Sequence, residues 1–206
     1  IPGLFTVSPN KTVNFSKGNL QAEYNGASRD YTWSFAENQY GYIGDGGGNK
    51  TISGNGTNNN VGDVVDLFGW STSTTYCGIH NSKSKGDYSG DFVDWGNNAD
   101  VESGIGEGWF TLSQPQWESL LNKRPMPPVG VRYTDCSSGV KIGEVTYKGL
   151  FIYPDNYSGA EVSSSSTWEA INADGIVFLP CAGYRYGTSV GDVGSFGNYW
   201  SSTAYG

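Results

Sequence analysis

The C-terminal segment, Gly175–Gly206, has the sequence GIVFLPCAGYRYGTSVGDVGSFGNYWSSTAYG. Its apolar run Ile176–Leu179 predicts a buried strand that ends at Pro180. The remainder is rich in Gly, Ser, Tyr and Asn, with one more strand-like core predicted at Tyr199–Ser202. Aromatic rings and small polar groups on turn residues are typical of recognition surfaces. We therefore expect this segment to bind a ligand and the rest of the chain to support it.

Composition excludes several classes of function. The chain has 206 residues, a net charge of −8, and 15% aromatic but only 16% charged residues. Abundant aromatic residues with few charges argue against disorder and favour one domain over residues 1–206. Nucleic-acid binding requires clustered Lys and Arg, and no basic run is present. The apolar runs are too short to span a bilayer, so we expect no direct membrane insertion.

Patterning predicts an α+β protein in which two helices surround small antiparallel sheets with long irregular loops. The clearer helix is Ser113–Lys123, with Ser113 as N-cap, and the second is Thr167–Ala173, with Ser as N-cap. Strands are predicted at Leu4–Val7, Thr12–Phe15, Tyr31–Phe35, Val131–Tyr133 and Val140–Val145, with a hairpin over Val145–Tyr153 that turns at Lys148-Gly149. Loops are predicted at Gly44–Gly62 and Gly69–Gly108, and one helical turn at Asp63–Phe68.

The sequence contains no catalytic motif. His80 is the single histidine, and no nucleophile motif accompanies it, so we expect a surface side chain. No phosphate-binding, dinucleotide-binding or zinc-protease motif is present, which predicts a protein that is not an enzyme and has no cofactor. Three cysteines, Cys77, Cys136 and Cys181, allow one disulfide in three possible pairings, with one thiol left over.

Three aspartates, Asp87, Asp91 and Asp94, leave two interpretations open. They could hold a structural calcium ion, although the EF-hand pattern is absent. They could instead be turn-forming residues beside a buried Trp95, which is the interpretation we favour. No CxxC spacing predicts a zinc site, and we assign no metal ligand.

Several segments resemble a family of secreted proteins common in gut Bacteroidetes, from about residue 3 to the end of the chain. The most specific are Val177–Pro180, Ala182–Arg185 and Tyr199–Ser202. The others are Phe15–Gln21, Trp33–Tyr40, Asp66–Trp70, Asp94–Gly96, Thr111–Ser113 and Trp117.

The resemblance implies a C-type lectin-like fold of the formylglycine-generating-enzyme-like branch. Some members of that family are variable proteins of diversity-generating retroelements, in which a C-terminal repeat varies on a fixed scaffold. The resemblance thus places a variable-type, ligand-binding region at about residues 184–206. Its analogous positions are Tyr186, Gly191, Asp192, Ser195, Phe196, Asn198, Ala204 and Tyr205.

For three rings of this region, Tyr186, Phe196 and Tyr205, the small neighbouring residues favour exposure, whereas Trp200 is expected in the core. Family members usually continue beyond the YWSS segment, so the resemblance implies that the C-terminal end is truncated or completed by another chain. The chain also begins without Met, as in a mature or trimmed protein. The calcium-dependent sugar motif of animal C-type lectins is absent, as is a recognisable catalytic cysteine pair.

The resulting hypothesis is a secreted or cell-surface receptor or adhesin that is not an enzyme. Its partner would be a protein or glycan on another cell or phage. One alternative is a structural fimbrial-tip or adhesin module whose C-terminal loops only cap the fold. The other is an enzyme of the same fold, which would need two reactive cysteines close together.

Overall fold

The computed structural model describes residues 1–52, 60–72, 77–80 and 91–204. These ranges form a mixed α and β structure with four short helices and several small antiparallel sheets. The helices are Gly47–Thr51 (α1), Ala99–Ile105 (α2), Gln114–Glu118 (α3) and Trp168–Ala173 (α4). The strands are Phe5–Ser8 (β1), Lys11–Val13 (β2), Leu20–Tyr24 (β3), Tyr31–Phe35 (β4), Val64–Val65 (β5), Tyr133–Ile142 (β6), Val145–Ile152 (β7), Val177–Pro180 (β8), Tyr184–Tyr186 (β9) and Ser189–Gly191 (β10).

The sheets are two hairpins and two three-stranded sheets. The hairpins are β1–β2 and β9–β10, and the larger sheets have the orders β4-β3-β5 and β6-β7-β8. In the last of these, Phe151 on β7 lies opposite Phe178 on β8, and the two rings stack with centroids 4.4 Å apart. Cross-strand aromatic pairs of this kind stabilise a sheet beyond the burial of their area. The predicted strand Ile176–Leu179 is therefore confirmed as β8, one position further along.

Buried side chains form three hydrophobic clusters in the described ranges. The first contains Trp33 and Trp95, the second Phe151 and Phe178, and the third Phe5. The favoured interpretation of Trp95 as a buried residue is confirmed, since its exposed fraction is 7%. The second and third clusters also include residues of β8, Phe178 and Val177, so they hold the start of the C-terminal segment in the core.

The helix predicted at Ser113–Lys123 is confirmed, with a change of geometry along its length. It begins as α3, where the Ser113 backbone N–H donates to the Gln116 side chain at 2.8 Å. This is the reciprocal bond of a capping box. The chain then continues as a π-helical turn over Ser119–Lys123. The second predicted helix is α4, and its N-cap is Thr167 rather than serine.

The described ranges contain four helices, two more than were predicted. Both additional helices lie in segments that were predicted as loops. Helix α1 lies within Gly44–Gly62, of which residues 53–59 fall outside the described ranges. Helix α2 lies within the segment Gly69–Gly108 that was predicted to be irregular. Its N-cap Asn98 accepts hydrogen bonds from the backbone N–H groups of Asp100 and Val101. This cap is a local signal that the sequence interpretation missed.

The helical turn predicted at Asp63–Phe68 was wrong. Val64 and Val65 form strand β5, which pairs with Glu23 and Ala22 of β3. Val65 is fully buried there. β-Branched residues pack well on a pleated sheet, and the pairing with a distant strand outweighs the weak local preference for a helix.

The predicted hairpin turn at Lys148-Gly149 was also wrong. The turn lies at Gly143-Glu144, between β6 and β7, and Gly143 has a φ of 61°. Gly149 instead lies in the middle of β7, where an added Cβ would be 2.3 Å from the carbonyl oxygen of Leu179. Glycine is required at that position because the neighbouring strand passes too close for a side chain. Of the two short strands predicted before this hairpin, Val131–Tyr133 overlaps β6 only at Tyr133, and Val140–Val145 overlaps it over residues 140–142.

None of the three pairings that the sequence allowed is formed. Cys77 and Cys136 are buried, Cys181 is partly buried, and no disulfide joins any two of them. The side-chain amide of Asn98 donates to the Cys77 sulfur at 3.1 Å. Burial raises the pKa of Cys77 to about 12, which makes this thiol a poor nucleophile. Within the described ranges, no helix is long and apolar enough to cross a membrane.

Candidate functional site: a groove on the C-terminal segment

Residues 184–191 of the C-terminal segment form a β-hairpin, where a loop was predicted. Strands β9 and β10 pair from Tyr186 with Ser189 to Tyr184 with Gly191. The two-residue turn between them contains Gly187, whose φ is 65°. Glycine adopts that left-handed conformation without a steric cost, which suits a tight hairpin. The side chains of Tyr184 and Tyr186 are two positions apart, and both are exposed.

Arg185 fastens this hairpin to the rest of the protein. Its Nε donates to the carbonyl oxygen of Leu67 at 2.7 Å. One terminal guanidinium nitrogen donates to the carbonyl oxygens of His80 at 2.6 Å and Gly187 at 2.8 Å. The guanidinium therefore satisfies backbone acceptors from two parts of the chain. Its location between neutral carbonyl groups indicates a structural role rather than the capture of an anion.

A tight turn follows the hairpin and is held against the end of β8. Asp192 has a φ of 57°, and its carbonyl oxygen accepts from the backbone N–H groups of Ser195 and Phe196, each at 2.9 Å. The Gly194 N–H donates to Cys181, and the Gly183 N–H donates to Phe196, each at 2.7 Å. These bonds fix the backbone on which the Phe196 ring is displayed.

The strand-like core predicted at Tyr199–Ser202 is not a strand, although its rings are anchored. The Tyr199 hydroxyl donates to the Pro180 carbonyl at 2.8 Å, and the Trp200 indole N–H donates to Phe68 at 2.9 Å. The ring of Trp200 packs beside Trp70, with centroids 5.6 Å apart. With 37% of its surface exposed, Trp200 is not the core residue that was predicted.

These elements enclose a groove of about 540 Å³, which we call the C-terminal groove. A volume of this size is typical of sites for small ligands or for one side chain of a larger partner. The groove is lined by Asp66, Leu67, Phe68, Tyr184, Arg185, Tyr186, Gly197, Asn198, Tyr199 and Trp200.

The electrostatics of the groove are neutral to acidic. Burial raises the pKa of Asp66, and the donors from Asn49 and from the Ile43 backbone oppose that shift. The Asn49 amide donates to Asp66 at 2.7 Å. Arg185 is the one cation among the described lining residues, and its guanidinium donates to carbonyl groups. Burial also raises the pKa of Tyr199, so its hydroxyl stays neutral. A ligand of this groove thus meets hydroxyl, amide and aromatic groups.

The structure brings only some of the sequence-predicted site residues together. Tyr186 and Asn198 line the groove, and Phe196 projects beside it with 66% of its surface exposed. Asp192, Ser195 and Ala204 are exposed outside the lining, Gly191 is half-buried at the end of β10, and Tyr205 lies outside the described residues.

Several lining residues were not predicted. Tyr184 could have been found from the alternation Tyr-Arg-Tyr, which places both rings on one face of a strand. Asp66, Leu67 and Phe68 carry no such signal, because they are more than a hundred positions away in the sequence.

Of the other candidates from the sequence, Asp94 has a structural role. Asp94 accepts from the backbone N–H groups of Gly96 and Thr111, so it caps the 3-10 turn Trp95–Asn97. Asp87 lies outside the described residues. No group of three or more His, Cys, Asp or Glu side chains in the described ranges could hold a metal ion. His80 is partly buried rather than a surface residue, and its carbonyl bonds Arg185.

No protein-family model, curated protein or solved structure matches this chain. The C-type lectin-like fold and the variable-type region therefore rest on the sequence segments quoted above. The geometry of the groove is independent of that resemblance.

Replacement of Arg185 by alanine is expected to loosen the β9–β10 hairpin. The change leaves the carbonyl groups of Leu67, His80 and Gly187 without this donor, at a cost of about 2 kcal/mol in the free energy of unfolding. Hydrogen exchange of the hairpin amides should accelerate more than that of β7. The exposed Arg29→Ala variant is the control. Equal hairpin exchange in both variants would contradict the anchoring role.

Proposed function

We propose that the chain is a ligand-binding protein that is not an enzyme, and that it binds through the C-terminal groove and the adjacent Phe196. The single observation that carries this proposal is the arrangement of rings on a fixed backbone. Tyr184, Tyr186 and Phe196 are exposed, while the bonds from Arg185 and Trp200 hold the segment in place. Rigid aromatic side chains supply contact area with little loss of conformational entropy.

The finer fold assignment is part of the same proposal. We infer a C-type lectin-like fold with a variable-type region at about residues 184–206. The segments that carry the resemblance support this inference, because three of them contribute residues to the groove lining. Asp66–Phe68, Tyr184-Arg185 and Tyr199-Trp200 all belong to those segments.

The proposed ligand is a protein or glycan on another cell or on a phage, and the proposed location is the cell surface or the exterior. The groove and Phe196 present hydroxyl groups, an amide and apolar rings, with no exposed basic side chain in the lining. Such a surface suits neutral, hydroxyl-rich or aromatic partners better than polyanions.

The double variant Tyr186→Ala/Phe196→Ala is expected to lose at least about tenfold in affinity, because buried aromatic anchors dominate the binding energy of most interfaces. The measurement is the binding of fluorescently labelled protein to a panel of bacterial cells, phage particles and arrayed glycans. The melting temperature should change little, since both rings are exposed in the free protein.

The matched control is Tyr133→Ala, which removes an exposed ring from β6, away from the groove lining. It should leave binding to the panel unchanged. If the double variant instead unfolds at a much lower temperature, the rings are structural and the proposal fails. Equal binding by the wild type and the double variant would also refute it.

A further inference from the structure

A second cleft, distinct from the C-terminal groove, lies between β2, β4 and the segment that follows α2. Its volume is about 490 Å³. We call it the aromatic cleft, since five rings are among its lining residues. The rings belong to Phe15, Phe35, Trp95, Trp109 and Phe110.

The two rings at the centre of the cleft are held by contacts within the chain. Phe35 and Trp109 meet edge to face, with centroids 4.8 Å apart. The Trp109 indole N–H donates to the carbonyl oxygen of Ile105 at 2.9 Å, so it is not available to a ligand. Gly96 allows the Trp109 backbone to pass close by, because an added Cβ would overlap the Trp109 carbonyl oxygen. The cleft is thus preformed and presents ring surface rather than hydrogen-bond donors.

The charges of the cleft are acidic, and only one carboxylate is available. Asp94 is occupied by the backbone N–H groups of Gly96 and Thr111 and by the Thr111 hydroxyl. Glu107 is exposed at the edge and makes no ion pair with a described residue. No Lys or Arg is among the lining residues.

The chain itself places a cation on one of these rings. The Lys11 ammonium lies 3.7 Å from the centroid of Phe110. A cation over an aromatic face is attracted by the negative potential of the ring. A cation–π contact is therefore already present at the edge of the aromatic cleft. A cationic ligand inside the cleft would make further contacts of the same kind.

We propose that the aromatic cleft is a binding site for a small organic cation of the alkylammonium class. The rings supply the apolar and cation–π contacts, and Glu107 supplies the compensating negative charge. An anion is disfavoured because Glu107 would repel it, and the Lys11 ammonium at the edge is already placed over the Phe110 ring. A neutral apolar ligand would use the rings but would gain nothing from the carboxylate.

The test compares choline with 3,3-dimethyl-1-butanol, which has nearly the same shape and no charge. Binding to the whole chain is measured by isothermal titration calorimetry at low ionic strength. Choline should bind at least about fivefold more tightly than the alcohol, and its affinity should fall as salt is added. Equal affinities, or no saturable binding of choline, would overturn the proposal.

Single variants distinguish this cleft from other acidic patches. Glu107→Gln should weaken choline binding by about threefold, because it removes an exposed attractive charge. Lys11→Met should strengthen choline binding, because it removes a repelling cation from the edge. The control Glu144→Gln changes a carboxylate that is 97% exposed and does not line the cleft, and it should have no effect. If Glu107→Gln and Glu144→Gln behave alike, the proposal is wrong.

Choline binding to the aromatic cleft does not depend on the function proposed for the C-terminal groove. Tyr186→Ala/Phe196→Ala should bind choline as the wild type does, because neither ring lines the aromatic cleft. Loss of choline binding in that variant would assign the cation to the C-terminal groove and would also overturn the assignment to this cleft.

Discussion

Replacing Arg124 with methionine is expected to lower the free energy of unfolding by about 3–5 kcal/mol. The Arg124 side chain is fully buried, and its guanidinium pairs with Asp155. It also donates to the carbonyl oxygens of Leu120, Arg132 and Tyr153. One side chain thus joins the π-helical turn, the start of β6 and the end of β7.

The loss of stability arises from the hydrogen-bond acceptors that Arg124 would leave behind. Methionine fills much of the volume but donates no hydrogen bond, so three carbonyl groups and one carboxylate each lose one donor. The Arg132 carbonyl would keep the bond from the Tyr153 backbone N–H. Asp155 would keep the bonds from the backbone N–H and the hydroxyl of Thr6. A carboxylate that loses its cation while partly buried is still strongly destabilising.

The neighbouring residue provides a matched control. Lys123 also forms an ion pair, with Glu118 at 2.6 Å, but both side chains are largely exposed. Lys123→Met should therefore change the stability by no more than about 0.5 kcal/mol. Urea denaturation followed by circular dichroism measures both variants. Similar losses for the two would show that the Arg124 contacts contribute little.

The second large effect is expected for Asn49→Ala, which should lower the free energy of unfolding by about 3 kcal/mol. The Asn49 side chain is fully buried, and its amide donates to Gly44 at 2.9 Å and to Asp66 at 2.7 Å. Its carbonyl oxygen accepts from the backbone N–H groups of Asp66 and Leu67, each at 3.1 Å. Alanine would remove a hydrogen-bond partner from each of four polar groups in the interior, and the Asp66 carboxylate would keep the bond from the Ile43 backbone N–H.

The loss of stability should depend on pH, because Asp66 is one of those four groups. Burial raises the pKa of Asp66, so the folded state holds its proton more tightly than the unfolded state does. Stability from this group is complete below the unfolded pKa of about 4 and falls as the pH rises through the folded value. Removing the Asn49 donor raises that value further. The variant should thus lose more stability at pH 7 than at pH 4.

Denaturation of the wild type and Asn49→Ala across this pH range tests the sign of the effect. Asn122→Ala, at an exposed position of the π-helical turn, is the control and should be independent of pH. A constant difference between Asn49→Ala and wild type at all pH values would mean that Asn49 does not stabilise the Asp66 carboxylate. Because the Leu67 carbonyl also accepts from Arg185, the variant should loosen the β9–β10 hairpin as well.

Features with a local cause were predictable from the sequence. The capping box at Ser113 and Gln116 predicted the start of α3, and the alternation in Tyr31–Phe35 predicted β4 with the same bounds. The small neighbours of Tyr186 and Phe196 predicted that both rings are exposed. In each case the interacting groups lie within a few residues of one another, so the pattern contains the whole interaction.

Features with a distant partner were not predictable. The valines of β5 were predicted to be helical because their pairing with β3 is not visible locally. Gly149 was placed in a turn because nothing in its neighbourhood shows that β8 passes close to it. Asn49 lies in a glycine-rich stretch that suggests an exposed loop, yet it is fully buried.

The C-terminal segment shows both kinds of feature. Its own residues were sufficient to predict strand β8 and the supply of aromatic rings, because apolar β-branched residues favour a buried strand. The β9–β10 hairpin was predicted only as a loop. The tertiary structure was needed to show which of its polar groups are already bonded. Arg185 bonds Leu67 across 118 positions and Trp200 bonds Phe68 across 132, and these contacts convert a glycine-rich segment into a fixed wall of the groove.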